Sequence, residues 1–178
     1  ISTDAPTGTL VRLPASYAAA LVAGRVSTLA PHVSLTNKDV AAEDLTRHYT
    51  RAEQKGLLGV RVLVLHKNLG IRVLKGTTTD DGAFRQVSVR RVVDYAKAGV
   101  RAGSNPYIGR LNNARVRAAL QATLDGFLSS MVLDEMLTAY ELSVTATRRQ
   151  EIEGQCIVTM TLQPTFSIDF VKVIMNLQ

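Results

Sequence analysis

The chain has 178 residues, of which 46% are hydrophobic and 5% aromatic, with no Trp and a formal net charge of +6. That length suits one domain or a domain with an accessory piece, and Leu, Val, Ile and Ala must fill its core. The lone Cys156 excludes an internal disulfide and a cysteine-built zinc cage and suits a reducing compartment, and no apolar run approaches the ~20 residues of a membrane span.

The first twelve residues are rich in Thr, Gly and Pro and read as loop. Pro14 is tolerated in a first helical turn, and Ala15 to Thr28 predicts a small-residue helix stopped before Pro31. Residues 32–49 read as irregular, with room for a short strand near Leu35. Thr50 and Glu53 make a T-x-x-E capping box for a short helix ending near Gly56. Val60 to Leu65 is apolar and rich in β-branched residues, which predicts an interior strand. Asn68-Leu69-Gly70 is a turn, after which Ile71 to Leu74 pairs back as a hairpin.

A helix is predicted over 88–102. Val89, Val92, Val93, Ala96 and Val100 form one stripe, with Arg90, Asp94, Lys97 and Arg101 opposite and Asp94 spaced to pair with Arg90 and Lys97. Gly103 is its expected C-terminal cap, and 104–111 a loop. The longest helix starts after Asn112 or Asn113, both good N-caps, and runs to about Leu133 with Val116, Leu120, Leu124, Phe127, Leu128 and Met131 inward. Three β runs follow, at about 138–146, 155–163 and 167–176. The order is an α+β pattern, a mixed β-sheet packed with two amphipathic helices and preceded by a helical segment.

Charge is unevenly placed. Between Arg85 and Arg117 lie eight basic residues and one acid, so this segment alone is +7. Such clustering reads first as a solvated helix face with local ion pairs, next as a surface for an acidic protein, and last as a nucleic-acid contact. At the other extreme, Phe166 to Leu177 reads FSIDFVKVIMNL, with Ile168, Phe170 and Ile174 on one face and Val171, Val173, Met175 and Leu177 on the other. A terminal strand apolar on both faces has to be buried in its own sheet or paired with another subunit.

Catalytic chemistry finds little support. His32, His48 and His66 lack metal-ligand spacing, and Cys156 alternates with Val158, Met160 and Leu162 as a small core residue would. No G-x-S-x-G elbow occurs, and Thr77 to Gly82 lacks the glycine spacing and Lys-Ser/Thr of a phosphate loop. Asp80 and Asp81, with Glu151 and Glu153, fall in predicted loops, where acidic residues are ordinary. No catalytic, metal or cofactor site is expected.

One stretch is more specific than any of these. Gly70 to Tyr95 reads GIRVLKGTTTDDGAFRQVSVRRVVDY, a short β run, a Thr-Thr-Thr-Asp-Asp-Gly turn, and a helix with the double arginine Arg90-Arg91. This order resembles the C-terminal domain of contractile tail sheath proteins of phages, tailocins and related injection machines. Leu13-Pro14-Ala15-Ser16 with Ala20 to Gly24 is similar to a helix of that family's core domain, and Ser34 to Lys38 and Leu57 to Val60 to two further segments. Asn112 to Leu128 and the run after Pro164 look like its last helix and terminal strand, so the resemblance spans about Leu13 to Leu177.

The resemblance implies a structural subunit, not an enzyme, in stacked and usually six-fold rings around an inner tail tube protein. Baseplate and tail terminator proteins would be further partners. Such a virion tail or phage-tail-like particle would be assembled in the bacterial host cytoplasm, without membrane insertion. Family members are usually longer on the N-terminal side, and this chain opens on Ile1, so a fragment is expected. Residues 1–50 then correspond to the end of the core domain and a linker, 51–163 to the C-terminal domain, and 164–178 to an arm hinged at Pro164. Terminal arms in that family join each subunit's sheet to its neighbours, which implicates Phe166, Ile168, Phe170, Val171, Val173, Ile174 and Met175 in an intersubunit contact. Arg90, Lys97, Arg101, Arg110, Arg115 and Arg117 are candidates for touching the tube or a neighbouring subunit. The alternative is a basic nucleic-acid-binding module using residues 85–117, for which only Tyr95 and Tyr107 are at hand to stack on bases. A third reading, an enzyme domain without its catalytic half, would need polar residues converging on a deep pocket.

Overall fold

A computed structural model describes residues 12–175. By compactness the chain divides into two units, one made of the residues up to Ser88 together with those from Phe166 onward, the other of Val89–Thr165. The α+β class expected from the sequence holds. Among the described residues, however, the named strands make one antiparallel hairpin in each unit, with isolated bridges besides, where the pattern suggests a single mixed sheet.

The first unit opens with α1 (Ala15–Ser27). Pro14 is its N-cap, and the helix closes at Thr28, three residues before Pro31. In α2 (Arg51–Gly59) the Thr50 hydroxyl accepts from the Glu53 amide while the Glu53 carboxylate accepts from the Thr50 amide, the reciprocal box the sequence predicts. Strands β1 (Leu65–Lys67) and β2 (Ile71–Val73) make a three-residue hairpin. Leu69 and Gly70 turn it with φ of 50° and 105°. The predicted strand over Val60 to Leu65 is therefore corrected. Val60 caps α2, Arg61 takes φ 61°, and the Val62 amide donates back to the Leu57 carbonyl. The segment finishes a helix before it can begin a ladder, and Val60 and Val62 stay exposed while Val64 is buried.

Across the second edge of β2, the 37–40 segment donates from Asn37 and Val40 to the Val73 and Ile71 carbonyls and accepts the Val73 amide at Lys38. This bridge lies at Asp39, a little beyond the strand expected near Leu35. It encloses a small core of Leu35, Val40, Ile71 and Val73, flanked by Val22 and Val26 from α1 and by Leu29 just beyond that helix.

The second unit holds most of α3 (Val87–Ser104), α4 (Ala114–Leu133), β3 (Leu137–Thr145), α5 (Arg148–Ile152) and β4 (Ile157–Pro164). Gly103 does not end α3. The helix runs one residue further into a 3-10 turn at Asn105–Tyr107, whose proline fits an early helical position. The Asn113 side chain accepts from the Val116 amide and caps α4, resolving the choice between the two asparagines. Val92, Ala96 and Val100 from α3 meet Leu120, Leu124, Leu128 and Met131 from α4, and Leu137 and Val144 from β3. β3 and β4 pair with a register shift between Leu137 and Ala139. That bulge changes the phase of the strand, so that Leu137 and then Tyr140, Leu142 and Val144 all turn inward.

α5 stands where a loop was expected. Thr147 and Gln150 form a second capping box, and Glu151 is helical. Cys156 precedes β4 and is exposed, not the core residue its alternation suggests, because the strand begins one residue later. The expected third strand over 167–176 is absent as far as Met175, where the described residues end. No ladder partner for it exists within the described chain, and a strand without one leaves its backbone groups to water.

Candidate assembly interface

The six cations proposed as contact residues have different surroundings. Arg90 bonds Asp94 one turn on, at 2.8 Å. Arg117 is the least exposed of them, its guanidinium donating to Glu151 at 2.8 Å and to the Asn112 side chain at 2.9 Å. Arg117, with Arg148 at 3.1 Å, holds the Glu151 carboxyl below the usual carboxylate range. Arg110 lies over the Tyr107 ring at 5.2 Å. Lys97, Arg101 and Arg115 are exposed and make no ion pair among the described residues. The latter three cations are therefore the ones whose charge points outward unspent.

The acidic residues serve local structure. Asp80 accepts the Gly82 and Phe84 amides at 3.1 and 3.0 Å and closes the polar turn after β2. Asp81 pairs with Arg61, and Glu153 with Arg149. His48 approaches Asp44 at 3.4 Å, while His32 and His66 each bury a ring Nδ1 without a partner. Among the described residues no three His, Cys, Asp or Glu side chains gather as a metal would need, and no helix is long and apolar enough to cross a membrane.

The hairpin of β3 and β4 has two strands only, so each strand has an outer edge that no other described strand covers. Such edges are templates for added strands. In the first unit, residues 166–175 form the complementary kind of object, an extended segment without a ladder. Phe166, Ile168, Phe170, Val171, Val173, Ile174 and Met175 are all exposed, Met175 by 84%. Between the first of them, Ser167 and Asp169 turn inward, and the Asp169 side chain is only 10% exposed. The predicted run ends at Asn176, outside the described residues.

Sequence reasoning located this apolar run but missed how it is rooted. Gln86, an inconspicuous polar residue just before α3, is 8% exposed and bonds both Ser167 and Asp169. Its only sequence signal is a polar side chain at the end of the turn whose burial no periodicity reveals.

The fold is shared with components of contractile machines. The anti-feeding prophage baseplate, six-fold symmetrised, aligns with a TM-score of 0.80 at 20% identity over 93% of this chain and 50% of that one. The contracted helical sheath of the same prophage aligns at 0.78 and 18% identity, covering 89% and 49%. The contracted sheath complex of an extracellular contractile injection system, PVC, aligns at 0.73 and 19%, covering 82% and 46%. The chain thus spans about half the length of the chains it matches. No curated protein sequence matches it. The model of the phage tail sheath C-terminal domain matches residues 79–178, more than half of the chain, and the protein belongs to the phage tail sheath family.

Proposed function

We propose that this chain is the C-terminal portion of a structural subunit of a contractile tail sheath, which polymerises helically around an inner tube and contracts to drive it through a cell envelope. The observation that carries this reading is the exposed, extended and apolar segment 166–175. An isolated subunit gains nothing by holding seven large apolar side chains in water, whereas an added strand buries them and satisfies its backbone at once. The open edges of the β3–β4 hairpin in neighbouring copies are the acceptors. Main-chain bonds between copies then act as tethers that survive while subunits rotate as near-rigid bodies between two packings.

Contact with the tube has the opposite requirement, since every such contact breaks on contraction. Exposed ion pairs of ~0–1 kcal/mol each suit it. Lys97, Arg101 and Arg115, without an ion pair among the described residues, are the residues for it, with Arg110 beside them in character; Arg90 and Arg117 are already engaged. That internal engagement also weighs against the nucleic-acid alternative, which would draw on the whole basic segment. The test is negative-stain electron microscopy of the full-length subunit with tube protein, intact and lacking residues 171–178. Sheathed tubes from the intact chain and dispersed subunits from the truncated one support the reading. Equal sheaths from both overturn it.

A further inference from the structure

Three strands of chain converge on the inward-facing side of Ser167 and Asp169. The Gln86 side-chain amide donates to the Ser167 carbonyl at 3.2 Å and accepts the Ser167 amide at 3.1 Å, so one side chain supplies both bonds a neighbouring strand would make. Gln86 Nε2 also reaches Asp169 Oδ2 at 3.0 Å. Thr36 donates its hydroxyl to Asp169 Oδ1 at 2.8 Å and accepts the Gly76 amide at 3.0 Å. Lys75 Nζ lies 3.3 Å from Asp169 Oδ2 and 5.3 Å from the centre of the Phe170 ring. Gly76 favours this convergence, because a Cβ there would stand a tight 3.1 Å from Leu35 Cβ and 3.3 Å from the Thr36 nitrogen.

We propose that Gln86, Thr36 and Lys75 form a polar clamp that fixes the root of the arm, so that the arm swings from Phe170 and not from Pro164. The inference rests on the arm reading above. Upstream of the clamp Thr165 donates to the Met136 carbonyl, and within it Ser167 and Asp169 are held by backbone and carboxylate together. Beyond it every side chain from Phe170 to Met175 faces solvent. A tether that transmits force between moving subunits needs a root that does not peel. Charge-assisted bonds to the Asp169 carboxylate, only 10% exposed, give that, because breaking one leaves a largely buried oxygen unsatisfied. Gln86, Thr36, Lys75 and Asp169 are thus positioning residues, which set where the arm emerges without touching its acceptor.

The experiment uses the full-length subunit in three forms besides wild type: Gln86→Leu, Asp169→Asn and the deletion of 171–178. Asp169→Asn keeps shape but turns an amide toward Lys75 or Gln86. Hydrogen exchange of the Ser167 amide should rise at least about tenfold in both clamp variants, with thermal unfolding of the body little changed in Asp169→Asn. Their sheaths should assemble poorly or shed subunits on contraction although the arm sequence is intact. Unchanged exchange at Ser167, or faster exchange with wild-type assembly and contraction, overturns the clamp while the deletion still blocks assembly. Normal sheaths from the deletion overturn the arm reading and the clamp's role with it.

Discussion

Gly99 sits within α3 where Phe127 of α4 crosses it, and replacing it with alanine sets two effects against each other. In a helix interior Ala is favoured over Gly by about 1 kcal/mol. Yet the new Cβ would lie 2.0 Å from Phe127 Cζ and 2.4 and 2.6 Å from the two Cε atoms. Carbon atoms rest at about 3.5–4.0 Å, so the ring must withdraw by roughly 1.5 Å. Phe127 packs on the core of the second unit and stands 5.8 Å from the Tyr95 ring, so its retreat disturbs both contacts. Overpacking costs about 1–3 kcal/mol and loss of a ring pair about 0.5–1.5 kcal/mol. The balance is a net destabilisation of about 2 kcal/mol, a fall of roughly 10 °C in thermal midpoint for a unit of this size. Thermal unfolding followed by circular dichroism measures it. In a Phe127→Leu background the same substitution should be neutral or stabilising, since the obstructing ring is gone. A raised midpoint for Gly99→Ala alone would refute the close crossing of α3 and α4.

Two further outcomes follow from the second unit. Asn113→Ala removes the acceptor of the Val116 amide and should cost about 1 kcal/mol, with Asn113→Asp restoring most of it; equal losses from both would show that the cap does not act through its oxygen. Because the Glu151 carboxyl is held below its ordinary value in the folded chain, its pairing stabilises above the ordinary carboxylate range and is lost as pH falls through and below it. The stability gap between wild type and Arg117→Met should therefore be largest at neutral pH and narrow in acid, leaving the part due to the Asn112 bonds. A gap independent of pH would mean that Arg117 acts through packing and its bonds to Asn112, and not through Glu151.

The sequence by itself determined the helices of this protein and much of their chemistry. The stripes of α3 and α4, the Thr50 box and an asparagine cap at 112 or 113 were legible, because helical bonds and caps are closed within three or four residues of themselves. The same kind of signal was present at Thr147 and Gln150, where a T-x-x-Q box opens the short α5 in what otherwise reads as a turn. Strands were different. Val60 to Leu65 and 167–175 carry strand-like composition, but the first is spent on ending α2 and the second finds no ladder partner among the described residues. Cys156 misleads for the same reason, since alternation assigns a face only where a strand exists. What only the tertiary structure decided was which polar residues are buried together. Gln86, Thr36 and Lys75 are far from Asp169 along the chain, and a hydrogen bond across such a separation leaves no period in the sequence to read.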